Sequence, residues 1–173
     1  MDRATDLGSN GRNINIFCAG LGTTGTVIGN SRYLKQKNSS IRVVGVMRAP
    51  DNYVPGVRTE KLLNVVGFDW RKHVDHIEPI ETAQSYRSSM EMSRRGLITG
   101  PSSGLALAGL LQHLEGLKEE NALDEVRDEK SGDIVCVFPC PDGPTPYLDE
   151  YFKYLLPSDF PAIRNEEVLV NKP

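Results

Sequence analysis

Hydrophobic and polar positions along the chain fall into short continuous apolar runs separated by stretches with helical spacing. Ile14 to Ala19 (INIFCA) is apolar and β-branched and stops at Gly20, as a strand buried on both faces does. Gly20 to Gly25 is a glycine and threonine loop. From Thr26 onward Val27, Ile28, Tyr33 and Leu34 carry a helical pattern to Lys35, where basic residues suit a helix C-terminus. Ile41 to Met47 (IRVVGVM) is a second buried strand, and strand, loop, helix, strand in that order predicts a parallel α/β unit.

The remainder continues the alternation. Pro50, Pro55 and Gly56 make Arg48 to Arg58 a loop, followed by a short helical patch over Thr59 to Val65. Val74 to Ile80 predicts an edge strand, and the polar run Glu81 to Arg94 (ETAQSYRSSMEMSR) a solvated helix ended by Gly96. LALAGLLQHLEGL, beginning at Leu105, is apolar nearly all round and predicts a buried helix. The charged segment Lys118 to Gly132 predicts a surface helix and loop, Asp133 to Pro139 (DIVCVFP) a core strand, and Tyr147 to Leu155 a short aromatic helix. The implied organisation is a polar leader over 1–13, one α/β domain over 14–156 and a tail over 157–173.

Composition narrows the classes. The 173 residues are 39% hydrophobic and 25% charged with a net charge of −3, which suits one globular domain. The basic residues are scattered, so no nucleic-acid footprint appears. No apolar run approaches a membrane span and the first residues lack a signal-peptide core, so no membrane partner is expected and cytoplasmic residence follows. Cys18, Cys136 and Cys140 are odd in number and lack metal-ligand spacing, consistent with buried thiols in a reducing compartment.

Two loops carry chemistry. Gly20-Leu21-Gly22-Thr23-Thr24-Gly25-Thr26 lies between a buried strand and a helix start, where backbone N–H groups and the helix dipole favour an anion and glycines allow close approach. Three threonine hydroxyls add donors. Neither the dinucleotide nor the Walker spacing is present, and by itself the loop fits equally a glycine-rich turn whose threonines cap the helix. Gly100-Pro101-Ser102-Ser103-Gly104 again precedes a buried helix; alone, its serines read as an N-cap. A nucleotide-binding domain would need a ribose-binding carboxylate after the second strand, and Met47-Arg48-Ala49-Pro50 offers none.

AGLGTTGT, PGVRTEKLL, RRGLITGPSSGLALAGLL and DIVCVFPCPDGPTPYLDEYF, in that order, resemble the C-terminal half of the cysteine synthase and cystathionine β-synthase family, and especially fungal-type cysteine synthase 2 proteins. The resemblance implies a three-layer parallel-sheet α/β domain of the tryptophan synthase β-like, fold-type II class, incomplete here, with pyridoxal 5′-phosphate as cofactor. It places Gly22, Thr23, Thr24, Gly25 and Thr26 around the cofactor phosphate and Ser102 at the pyridine nitrogen. Most members have glycine where Thr24 stands, which leaves less room in the cup. A neutral serine at the ring nitrogen makes the ring a weaker electron sink, favouring replacement at Cβ over transamination. Asp142 and Tyr147 fall near the pyridine edge without an assigned role.

The same resemblance implies that the Schiff-base lysine and the loop gripping the substrate carboxylate belong to an N-terminal half not contained here. None of the lysines has the matching context, and Gly8-Ser9-Asn10-Gly11 reads as a turn. The expectation is therefore part of an enzyme making cysteine from an activated serine, inactive alone and completed by a lysine-bearing half or by self-association. The alternative is a non-catalytic truncated domain that binds phosphate-bearing ligands or partner chains through an exposed apolar face.

Overall fold

The computed structural model describes residues 13–160. Four parallel strands form one sheet in the order β3-β2-β1-β4, with β1 at Ile16–Gly20, β2 at Arg42–Arg48, β3 at His76–Ile80 and β4 at Cys136–Val137. Helices α1 (Gly25–Lys37), α2 (Glu60–Leu63), α3 (Thr82–Arg94), α4 (Pro101–Glu119) and α5 (Leu148–Tyr154) connect and cover it. The leader, the Gly8–Gly11 turn and the tail beyond residue 160 lie outside the described residues.

Alternation along the strands builds the layers. Ile16, Cys18, Val44 and Val46 point to the face covered by Leu105, Ala108 and Leu110 of α4. Phe17, Ala19 and Val43 point to the opposite face, against Val27 and Leu34 of α1, Leu63 and Trp70. The apolar runs are continuous because each strand is buried on both sides. The three-layer parallel α/β reading is what the structure shows.

α4 is sandwiched between the sheet and α3. Gly109 lies so close to Val46 that a β-carbon there would overlap its side chain, and one at Gly104 would collide with the backbone of Ser85 and Ser89 on α3. Ser85 Oγ donates to Pro101 O (2.6 Å) and Ser89 Oγ to Thr99 O (2.8 Å), so the two helices are joined by buried hydrogen bonds as well as by packing. α5 closes the outer side through a cluster of Tyr86, Tyr151 and Leu155.

Three expectations need correction. α3 is not a solvated helix: Thr82, Ser85, Tyr86, Ser89 and Met92 are buried, because α4 presents only a glycine where the helices cross. The strand expected over 133–139 shrinks to Cys136–Val137, since Val135 N–H donates to the Asn15 side chain (2.8 Å) and Pro139 has no N–H for a ladder. The charged segment 118–132 is mostly not helix: α4 stops at Glu119, a 3₁₀ turn at Leu123–Val126 follows, and Val126 is buried. Among the described residues no helix is long and apolar enough to cross a membrane.

Candidate functional site

The first loop leaves β1 at Gly20 and is laced to the chain after β2. Leu21 N–H donates to Val46 O (2.7 Å), and Arg58 N–H donates to Leu21 O (2.9 Å). Any side chain at Gly22 would strike the carbonyl oxygen of Gly56, which itself has a positive φ of 74°. Gly22 thus lets two backbones touch.

Thr24 adopts φ 70° and ψ −4°, the left-handed region that a β-branched residue rarely enters. Its side chain is turned inward at 2% exposure, and its hydroxyl donates to the Thr23 carbonyl at 2.6 Å. The expectation of three threonine donors is therefore corrected to two, Thr23 and Thr26, both exposed. The capping reading also fails, because no side chain caps α1. The first intrahelical bond runs from Ile28 N–H to Thr24 O (3.0 Å), so the N–H groups of Gly25, Thr26 and Val27 have no acceptor within the helix. The first turn of α1 carries uncompensated positive dipole with nothing acidic in it.

The second loop is built differently. Gly100 is the N-cap of α4, Pro101 its first residue, and Ser102 and Ser103 lie inside the first turn, so neither serine caps the helix. Gly100 N–H donates to Asp142 O (2.9 Å), and a side chain at Gly100 would meet the Asp142 carboxylate. Tyr147 OH donates to Asp142 Oδ2 (2.7 Å), and that bond to a carboxylate pushes the phenol up to about 12. Asp142 Oδ1 is buried without a hydrogen-bond partner.

The two loops meet at a cavity of about 310 Å³ at the carboxyl ends of the strands, lined by Thr26, Ser102, Asp142, Tyr147, Gly20, Gly56 and apolar neighbours including Ala19, Val57 and Ala106. Of the residues singled out in the sequence, Thr26 and Ser102 share this wall. Gly22, Thr23, Thr24 and Gly25 do not: Thr24 is buried, Gly22 half-buried against Gly56, and Thr23 and Gly25 are exposed beside Thr26 in the chain. The position, outside the strand ends between two helix starts, is where open parallel sheets hold ligands, and the volume lies at the small end of the roughly 300–1,000 Å³ of small-molecule sites. Pro55, Gly56 and Val57 also line it; a Pro-Gly turn signalled a loop but not a wall of the site.

A family model described as pyridoxal-phosphate dependent enzyme matches residues 4–126. The chain belongs to this family. Members of the family use pyridoxal phosphate. Among curated relatives, a cysteine synthase of Aquifex aeolicus is 33% identical over 76% of this chain and 38% of its own length. A cysteine synthase B of Escherichia coli is 30% identical over 59% of this chain and 34% of its own. The cystathionine beta-synthase of Saccharomyces cerevisiae is 28% identical over 80% and 28%. Among solved structures, a hydrogen sulfide-producing enzyme of Fusobacterium nucleatum superposes with a TM-score of 0.67 at 22% identity, covering 91% of this chain and 46% of that one. A cysteine synthase of Entamoeba histolytica gives 0.60 at 23% identity, covering 83% and 41%. The chain spans about a third of the length of the first curated relatives it matches. The fold is that of the fold-type II pyridoxal-phosphate enzymes, of which this chain is a partial domain.

Proposed function

We propose that this chain is the cofactor-binding C-terminal portion of a cysteine synthase-like enzyme, closest in type to fungal cysteine synthase 2, that acts in the cytoplasm by β-replacement on O-acetylserine or a related activated serine. The observation that carries the proposal is the shared cavity: Thr26, on the uncapped first turn of α1, and Ser102, on the first turn of α4, face one small space. The residues fit the group. Free N–H groups of Gly25, Thr26 and Val27 and the hydroxyls of Thr23 and Thr26 offer a dianionic phosphate several charge-assisted bonds, each worth about 1.5–3 kcal/mol. Gly22 and Thr24 hold that turn in shape, Gly22 by admitting Gly56 and Thr24 through its inward hydroxyl. Ser102 stands for the neutral partner of the pyridine nitrogen.

Bound there, pyridoxal phosphate supplies the electron sink for elimination and replacement at Cβ. This chain positions its phosphate and ring. The lysine that would hold the cofactor covalently and move the Cα proton comes from a complementary N-terminal half, so the chain alone is inactive.

Pyridoxine 5′-phosphate, which has no aldehyde to react with a lysine, separates binding from covalent attachment. The chain is expected to bind it saturably, Ser102→Ala to weaken binding, and Gly22→Ala to weaken it further by forcing Gly56 away. Cysteine formation is expected only when a lysine-bearing half is added. Cysteine production by the chain alone, or no binding of the phosphate ester, sinks the proposal. A second reading, a non-catalytic domain that docks a partner chain, is favoured by the exposure of Leu97 (61%), Ile98 (72%) and Phe152 (72%). Binding of pyridoxine 5′-phosphate with no activity from any complementary half decides for it.

A further inference from the structure

At the opposite end of the sheet, where β2 and β3 begin, a second polar cluster shares no residue with the cofactor cavity. His76 Nε2 lies 3.0 Å from Glu78 Oε1, and His113 Nδ1, from the C-terminal half of α4, lies 3.3 Å from the same oxygen. One donor atom from each of the three residues lies within 4.8 Å of the others. The two imidazole rings are 4.5 Å apart, centre to centre. We propose that His76, Glu78 and His113 form a binding site for a transition-metal dication of the zinc class, linking edge strand β3 to α4.

Several observations carry this assignment. Two imidazoles and one carboxylate are the donor set that suits zinc-class ions, and hard cations such as magnesium and calcium prefer all-oxygen surroundings. An ion about 2.1 Å from three donors at tetrahedral angles sets them roughly 3.4 Å apart, close to the two His–Glu separations already present. His76, half of whose side chain is exposed, can rotate to close the remaining gap between the histidines.

The carboxylate is also prepared. Glu78 is 7% exposed, and its other oxygen accepts from Gln112 Nε2 at 2.6 Å, which fixes the direction in which Oε1 points. His113 is 4% exposed, so the packing of α4 holds its Nδ1 in place against the same Glu78 oxygen. Finally, the adjoining cavity of about 230 Å³ is walled by Glu78, Glu120 and Glu125 against a single guanidinium, Arg42, which is itself paired with Glu125 at 3.2 Å. The excess of carboxylates favours a cation, and one side of the cluster is open for a bound water.

The sequence hid this site because His76 and Glu78 lie far from His113 in the chain. Residues i and i+2 of a strand share a face, so His76 and Glu78 align, and only the packing of α4 supplies the third donor.

The test is a titration of the metal-stripped full chain with cobalt(II), followed by its visible ligand-field absorption, and then displacement by zinc. One ion per chain is expected, with a rise in melting temperature on zinc binding. His76→Ala, at a half-exposed position, and Glu78→Gln are each expected to weaken binding by roughly 10-fold or more. His73→Ala, three residues from His76 but outside the cluster, leaves it unchanged. A loss seen in His76→Ala with an unchanged circular dichroism spectrum excludes unfolding as the cause. The proposal fails if no saturable binding occurs, if His76→Ala binds like the parent, if Cys140→Ser abolishes the signal, or if magnesium competes with cobalt. The cluster is then only a network that neutralises a buried carboxylate.

Discussion

The two helix starts that meet at the cavity look alike in the sequence, each a few glycines with hydroxyl residues before a helix, and they are built on opposite principles. The start of α1 is open: exposed at Thr23, Gly25 and Thr26, uncapped, and held in shape by one residue in a left-handed conformation. The start of α4 is closed: Pro101 and Ser103 are buried, the neighbouring turn is bonded to Ser85 and Ser89, and Gly104 is pressed against α3. An anion can be recruited only where N–H groups remain unspent, and a ring can be positioned only by a helix that does not move. On the proposed reading, the site has one end of each kind.

The sharpest way to break the comparison is to loosen the closed end. Gly104→Val places atoms inside the backbone of Ser85 and Ser89, which belong to a regular helix and cannot give way. Overpacking of this sort costs about 3 kcal/mol or more, read from the midpoint of denaturant unfolding. Gly116→Ala on the same helix, where an added β-carbon meets nothing within 4 Å, is the control. It is expected to stabilise by about 0.5–1 kcal/mol through helix propensity. Equal destabilisation by both would mean that α3 and α4 are not locked at Gly104.

The open end is tested at Thr24. Its left-handed backbone costs a non-glycine residue roughly 1–2 kcal/mol. Thr24→Gly and Thr24→Ala both remove the inward hydroxyl and its bond to Thr23 O, but only glycine relieves the backbone. Thr24→Gly is therefore expected to be more stable than Thr24→Ala by about 1 kcal/mol in thermal or denaturant unfolding. If the two are equal, Thr24 is not strained and the shape of the turn comes from elsewhere.

What could be read from the sequence follows the range of the forces involved. Strands β1 and β2 declared themselves because burial on both faces needs unbroken apolar runs such as IFCA and VVGVM. α3 was misread because its buried face includes Ser85 and Ser89, polar residues satisfied by carbonyls of the 99–101 turn. No pattern within ETAQSYRSSMEMSR announces that partner. β4 was overextended because Asn15, distant in sequence, takes the bond that a neighbouring strand would have made. At the cavity, Thr26 was marked by the loop's motif chemistry and Ser102 and Asp142 by the family resemblance, whereas the inward turn of Thr24 and the wall supplied by Gly56 depend on contacts between loops. The His76, Glu78 and His113 cluster was invisible for the same reason.

The smallest effect concerns the joint between the two ends. Tyr147 donates to Asp142, whose backbone carbonyl receives Gly100 N–H, so the aromatic residue braces the loop facing Ser102. Its phenol is raised from the ordinary tyrosine value to about 12, first by that hydrogen bond and then by burial. A group whose folded value lies above its unfolded one lends stability that is complete below about pH 10, the ordinary tyrosine value, and is lost as pH climbs through about 12. Tyr147 is only half-buried, so solvent screening cuts the contribution to roughly 0.5 kcal/mol or less. Tyr147→Phe is therefore expected to lower stability by that small amount at neutral pH. The difference from the parent should fade in strongly alkaline solution, and a late-ionising component should vanish from the tyrosinate absorbance titration. If that titration is unchanged, the bond from Tyr147 to Asp142 does not form, and the closed end must hold Asp142 by the Gly100 contact alone.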